Sequence, residues 1–239
     1  MPVRPAAQIK YFGFLNFISF SIFSNGVFKE MWKPTWQFGL MQYGGYASSQ
    51  ANSVIISQVG EINLINAYII TIKLINILKQ FSQIPFNVEI PDYYRLFSTR
   101  RIDVLKSKVV NKIIYSFIIF SVLSFIFIFF GENLISLIKE GEGFLLNKYL
   151  LFILVISALF EMHHSFHANL YIASNKVPFL IPSIYTGCML FIVGNLVILE
   201  YGVLGVIISQ VAIQASVNNW YPVYKSLKLL DWKFYKYLT

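Results

Sequence analysis

The chain has 239 residues, of which 56% are hydrophobic and only 13% charged, and its mean hydropathy is +0.62. Soluble domains run to about 45–50% apolar and about 25% charged residues, so a single soluble core of this size is excluded as the home of so much apolar surface. The formal charge of +8 lies in short gaps between apolar runs, which fits one face of a membrane and gives no reason to expect a nucleic-acid partner.

Residues 1–28 read as an N-terminal segment. Arg4 and Lys10 flank the start of an apolar run, Tyr11 to Ser24, that is too short for a full crossing and suits an interfacial helix or the stump of a preceding span. No small-residue cleavage site follows, so a cleaved signal peptide is not expected. Residues 29–225 then hold about six runs near the roughly 20 apolar residues that a spanning helix needs. These are Trp36 to Gly60, Ile62 to Leu78, Ile113 to Gly131, Tyr149 to Asn175, Val177 to Leu199 and Tyr201 to Tyr224. The fold expected is an all-α polytopic transmembrane helix bundle, followed by a basic tail at 226–239.

Lys and Arg alternate between the gaps. Arg4, Lys10, Lys29 and Lys33 precede the first span, and Lys79, Arg95, Arg100, Arg101, Lys106, Lys108 and Lys112 follow the second. Lys176 follows the fourth, and Lys225, Lys228, Lys233 and Lys236 follow the sixth. The intervening gaps carry Lys139 and Lys148 among the acids Glu61, Glu132, Glu140, Glu142 and Glu200. Basic residues stay on the cytoplasmic side, so both ends are expected there, in the plasma membrane. Gly60–Glu61 and Glu200–Tyr201–Gly202 read as tight turns between antiparallel neighbours. The long inner gap, Gln80 to Asn111, contains Pro85 and Pro91 and reads as a loop, part of it an amphipathic surface helix.

Polar residues inside the spans mark candidate sites. The first span carries Gln42, Ser49 and Asn52 on one face, among Gly44, Gly45, Ala47 and Ala51. The pattern fits a close helix seam or the wall of a polar cavity. Lys73 stands mid-span in the second run, with Asn66 and Asn76 at spacings that let them share its face. A lysine there needs water, an anionic ligand or a partner such as Glu161. Glu161, halfway down the fourth span, is the candidate ion-coupling residue, with His164 one turn on. His163 and His167 are four apart, but no HExxH order and no further ligand supports a metal. They read as a protonatable patch or as packing hydrogen bonds.

No nucleotide loop, nucleophile elbow or paired carboxylate motif is visible, so neither an enzyme nor a cofactor is expected. The one cysteine, Cys188, lies in an apolar run and supplies no internal disulfide.

Four stretches carry a family resemblance: Lys29 through Trp36, Ala67 through Lys73, Phe160–His164 with Ala173–Phe179, and Gly202–Gly205 with Asn219–Pro222. In this order the chain resembles the bacterial polysaccharide-repeat-unit (O-antigen) flippases of the multidrug/oligosaccharidyl-lipid/polysaccharide exporter superfamily. The resemblance implies one lobe of a two-lobe exporter that flips undecaprenyl-diphosphate-linked oligosaccharide by alternating access, coupled to a proton or cation gradient. It implies a cationic, substrate-facing role for Lys73. Only the second lobe is matched, which implies a fragment, a split gene, or a half that works with a missing N-terminal lobe or a second copy. The alternatives are a membrane enzyme of polysaccharide assembly (a polymerase or lipid-sugar transferase) and an inactive membrane remnant.

Overall fold

The structure, a computed structural model, describes residues 25–59, 61–137, 143–174 and 179–232. The apolar run Tyr11 to Ser24, the turn residue Gly60, Lys176 and the tail from 233 onward lie outside the described residues. Every regular element among the described residues is helical: α1 (Asn25–Ile56), α2 (Ile62–Asn87), α3 (Ile90–Ser98), α4 (Ile102–Ser136), α5 (Lys148–Ile172), α6 (Leu180–Ile213) and α7 (Asn219–Leu229). Ser57–Val59 forms a 3-10 turn after α1, and Gln214–Asn218 a π-helical segment between α6 and α7. The chain is a multi-pass α-helical membrane protein. Four stretches, 62–98, 102–136, 148–172 and 180–229, are long and apolar enough to cross a bilayer. The 32-residue α1 is long enough too, at about 48 Å. Its amides and glycines make it less apolar.

The stretch 180–229 is two crossings. Gly202 breaks it with φ 57° and ψ −151°, a backbone region open in practice to glycine alone. The chain reverses there. Ile55 packs where a Cβ on Gly194 would sit, 2.5 Å from Ile55 Cδ1, and Asn52, one turn away on α1, bonds to Gln210. A straight helix would hold Gly194 and Gln210 about 24 Å apart. With the reversal, the rods are α1, α2, α4, α5 and the two arms of α6, the second lengthened by α7. That is the expected arrangement of about six spans.

The inner gap differs from its expected form. α2 runs on through Pro85 to Asn87, nine residues beyond Leu78, and carries Lys79 inside the helix. α3 is the amphipathic segment foreseen in this gap, with Tyr93 and Leu96 buried, Arg95 outward and Asp92 half-buried. α4 begins at Ile102, well before the apolar run at Ile113. Glu89 and Asp92 meet Lys108, and Glu89 also meets Lys112, which clamps α3 to α4. The Lys108 ammonium, with Arg95 beside it, holds the Asp92 carboxyl below the usual carboxylate range. At the other end, Glu132 accepts the backbone N–H groups of Gly143, Phe144 and Leu145 and so ties the residues before α5 to α4. α7 continues to Leu229, past the expected start of the tail at 226, because Leu227, Leu230 and Trp232 are buried.

Small residues bring α1 and the first arm of α6 together. A Cβ on Gly44 would lie 3.0 Å from Ser183 Oγ. The matched pairs Gly44–Ser183 and Ile55–Gly194 make the two rods parallel. α2 and α5 are parallel too, through Lys79–Glu161 and Gln83–Ser165, as are α5 and α7, through His163–Asn219 and His167–Ser226. These directions are the ones that strict alternation along the chain requires. α1 and α6 form one wall, and α2, α4, α5 and α7 form the other. Phe86, Phe117 and Phe166 pack the second wall.

Candidate functional site

A polar cavity of about 370 Å³ lies between the two walls. On α2 the residues facing it are Tyr68, Ile72, Asn76, Lys79 and Gln83, spaced so that each falls on one helical face. α5 supplies Glu161, His164 and Ser165; α1 supplies Gly45 and Asn52; α6 supplies Ser183, Thr186 and Gln210. Gln214 and Asn218 come from the π-helical segment. Its origin is Pro222, which has no N–H to offer the carbonyl of Asn218 and whose ring crowds that carbonyl. The ladder widens there, and Ser216 takes a non-helical ψ of −116°. π-Segments of this kind recur at functional sites. A second cavity of about 270 Å³ shares Gly45, His164, Ser165, Ser183 and Asn218 with the first and continues toward Gln42 and Phe179. The two adjoin one another along the α1–α6 wall.

The charged group of the main cavity is an ion pair between Lys79 on α2 and Glu161 on α5. Their side chains are 18% and 27% exposed, so the pair is shielded yet open to the cavity. His164 lies one turn from Glu161, and its Nδ1 is buried without a hydrogen-bond partner. His163 and His167 turn the other way. His163 Nδ1 is 2.9 Å from Asn219 Oδ1 and His167 Nδ1 is 2.6 Å from Ser226 Oγ, both on α7. Ser226 Oγ donates to Val223 O, so it accepts from His167 Nδ1. The amides pair with one another: Asn52 Nδ2 on α1 donates to Gln210 Oε1 on α6 at 2.5 Å, and Asn218 Nδ2 donates within the π-helical segment to Gln214 Oε1 at 2.6 Å.

Of the residues singled out from the sequence, Asn52, Asn76, Glu161 and His164 line the main cavity, and Gln42 lines its extension. Ser49 lies on α1, but its side chain is outside the described residues. Lys73 and Asn66 do not reach the cavity. Both are exposed, so Lys73, Asn66 and Asn76 do not act as one face: Asn76 turns inward, 60° from Lys73 around the helix. The partner of Glu161 is Lys79, not Lys73. A span drawn as a run free of charge stops at Leu78 and so assigns Lys79 to the loop. The spacing of Asn76, Lys79 and Gln83 on the face of Tyr68 was the signal that could have found it. Gln210, Gln214 and Asn218 were missed because they lie in a span that reads as featureless by charge.

Lys73 belongs instead to an outward stripe. Asn66, Lys73, Gln80 and Asn87 are spaced by seven, and all four are exposed. The chain matches no known protein family, no curated protein and no solved structure.

Proposed function

We propose that this chain is a transport lobe that flips undecaprenyl-diphosphate-linked oligosaccharide across the cytoplasmic membrane in surface-polysaccharide assembly. It works as one half of a two-lobe exporter, with a separate first lobe or a second copy of itself. Both ends lie in the cytoplasm, where the surplus of Lys and Arg stays.

The observation that carries the reading is the pair of adjoining polar cavities inside a bundle with four stretches apolar enough to span a bilayer. Amides and charges at that depth are costly, and a bundle with only a structural duty would fill the space with hydrocarbon. The four resembling stretches add the family, and with it the substrate class. The Lys79–Glu161 pair joins α2 to α5, two of the four helices of one wall, so breaking it would loosen α2 from α5. Ion coupling at Glu161 would act through this pair and change the shape of the bundle. In a two-lobe exporter the exposed stripe through Lys73 faces the cleft toward the other lobe, where its cation meets diphosphate. Against lipid that stripe would be unfavourable.

The test is complementation of cells lacking their own repeat-unit flippase, with this chain alone and with the first lobe of a related flippase. Surface polysaccharide is the readout. Restoration in either arm is expected. Absence of restoration in both arms, with the protein stably inserted, would overturn the reading in favour of a remnant. A Lys73→Ala variant that keeps its protein level is expected to lose export, and unchanged export removes the substrate role of that residue.

A further inference from the structure

The cavity answers its own charges. Lys79 holds Glu161, so no uncompensated cation or anion of that pair faces an incoming ligand. The remaining polar wall is dominated by amides drawn from separate elements: Asn52, Asn76, Gln83, Gln210, Gln214 and Asn218. Each amide presents an acceptor oxygen beside donor N–H groups. Several are paired with one another or with Ser165, but the pairing leaves an acceptor stranded. Asn52 is 2% exposed, lines the cavity, and its Oδ1 has no hydrogen-bond partner. A buried carbonyl left in this way is unfavourable until a donor reaches it.

The ligand that suits this wall is neutral and rich in hydroxyl groups. A hydroxyl both donates and accepts, so it can satisfy Asn52 Oδ1 and an amide N–H together. A cation here would meet the Lys79 ammonium, and an anion would meet the Glu161 carboxylate, each desolvated and without a free counter-charge. The volume, about 370 Å³, falls at the low end of the ~300–1,000 Å³ of ligand pockets, which suits a single ring rather than a whole oligosaccharide. We infer that this cavity binds one uncharged sugar residue, and that the diphosphate of a lipid-linked substrate stays outside it. The identity of that substrate rests on the transport reading above; the sugar site itself does not.

The experiment uses the full chain in nanodiscs of neutral lipid and follows ligand binding by saturation-transfer NMR and calorimetry. The probes are methyl glycosides of glucose, galactose, mannose, rhamnose, N-acetylglucosamine and N-acetylgalactosamine, with glucuronate, inorganic diphosphate and sodium ion as charged competitors. At least one neutral glycoside is expected to saturate. Glucuronate and diphosphate are expected to bind at least about tenfold more weakly, a difference of about 1.4 kcal/mol. Asn52→Leu is expected to weaken the glycoside by a similar factor. Asn76→Leu, at a half-buried position on the wall, serves where Asn52→Leu does not fold. The proposal is overturned if no neutral glycoside binds the folded protein, if a charged probe binds as tightly or tighter, or if both variants bind like the parent. Binding without complementation would remove the transport reading and leave the sugar site. Complementation without binding would remove the sugar site alone.

Discussion

Lys79 and Glu161 pose the sharpest question at the scale of single residues. Removing one partner of a shielded ion pair strands the other charge, which costs ~3–5 kcal/mol when burial is complete. The cavity gives both side chains some access to water, so the single variants Lys79→Met and Glu161→Gln should fall toward the lower end of that range. The double variant strands neither charge and should recover most of the loss. Thermal unfolding of the purified protein distinguishes the cases. If both singles and the double melt alike, the pair does not couple α2 to α5. Glu161 was legible in the sequence because a carboxylate interrupts an apolar run. Its partner was not, because Lys79 stands at the edge of the run, where basic residues ordinarily mark a loop. Burial of Lys79 follows from α2 continuing past that edge, which only tertiary packing against α5 decides.

Element-scale behaviour turns on two of the four glycines of α6, Gly194 and Gly202. At Gly202 the backbone sits where a side chain is strained, so Gly202→Ala should destabilise the fold by about 1–3 kcal/mol, measured in the same unfolding assay. An unchanged transition would mean that the reversal does not depend on this geometry. Gly194 matters for space instead. Its missing Cβ is filled by Ile55, so Gly194→Leu should push α1 from α6 at a cost of ~1–3 kcal/mol, the usual penalty of overpacking. Ile55→Ala vacates that volume and should suppress the defect when combined with Gly194→Leu. Additive losses in the double variant would show that the two positions do not meet. The reversal at Gly202 was readable from Glu200–Tyr201–Gly202 between two apolar runs. The seam was half readable, since Gly44, Ala47 and Ala51 announce close packing without naming the partner helix. The π-helical segment was not readable. Pro222 signals a disturbed ladder, but whether the helix kinks, ends or widens depends on what Asn218 and Gln214 can reach.

For the whole molecule, the internal contacts and the charge pattern bear on topology independently. Side-chain pairs make α1 parallel to the first arm of α6, and α2 parallel to both α5 and α7. These pairings fit alternate crossings without reference to charge. The distribution of Lys and Arg is the ground for the proposed side, with the α3–α4 corner and the end of α7 facing the cytoplasm. Lys106 Nζ bonds to Asp231 O, which holds those two regions at one end of the bundle. Cysteine mapping tests both statements at once. In a Cys188→Ser background, single replacements Glu61→Cys, Tyr201→Cys, Arg100→Cys and Lys228→Cys would each be exposed to an impermeant maleimide in intact spheroplasts and again after permeabilisation. Positions 61 and 201 should react in intact spheroplasts, and positions 100 and 228 only after permeabilisation. The reverse pattern would keep the helix order and overturn the sidedness, since the contacts are blind to which face is cytoplasmic. Reaction of 61 and 201 from opposite sides would overturn the parallel pairing of α1 with the first arm of α6, and reaction of 201 and 228 from one side would overturn the reversal at Gly202.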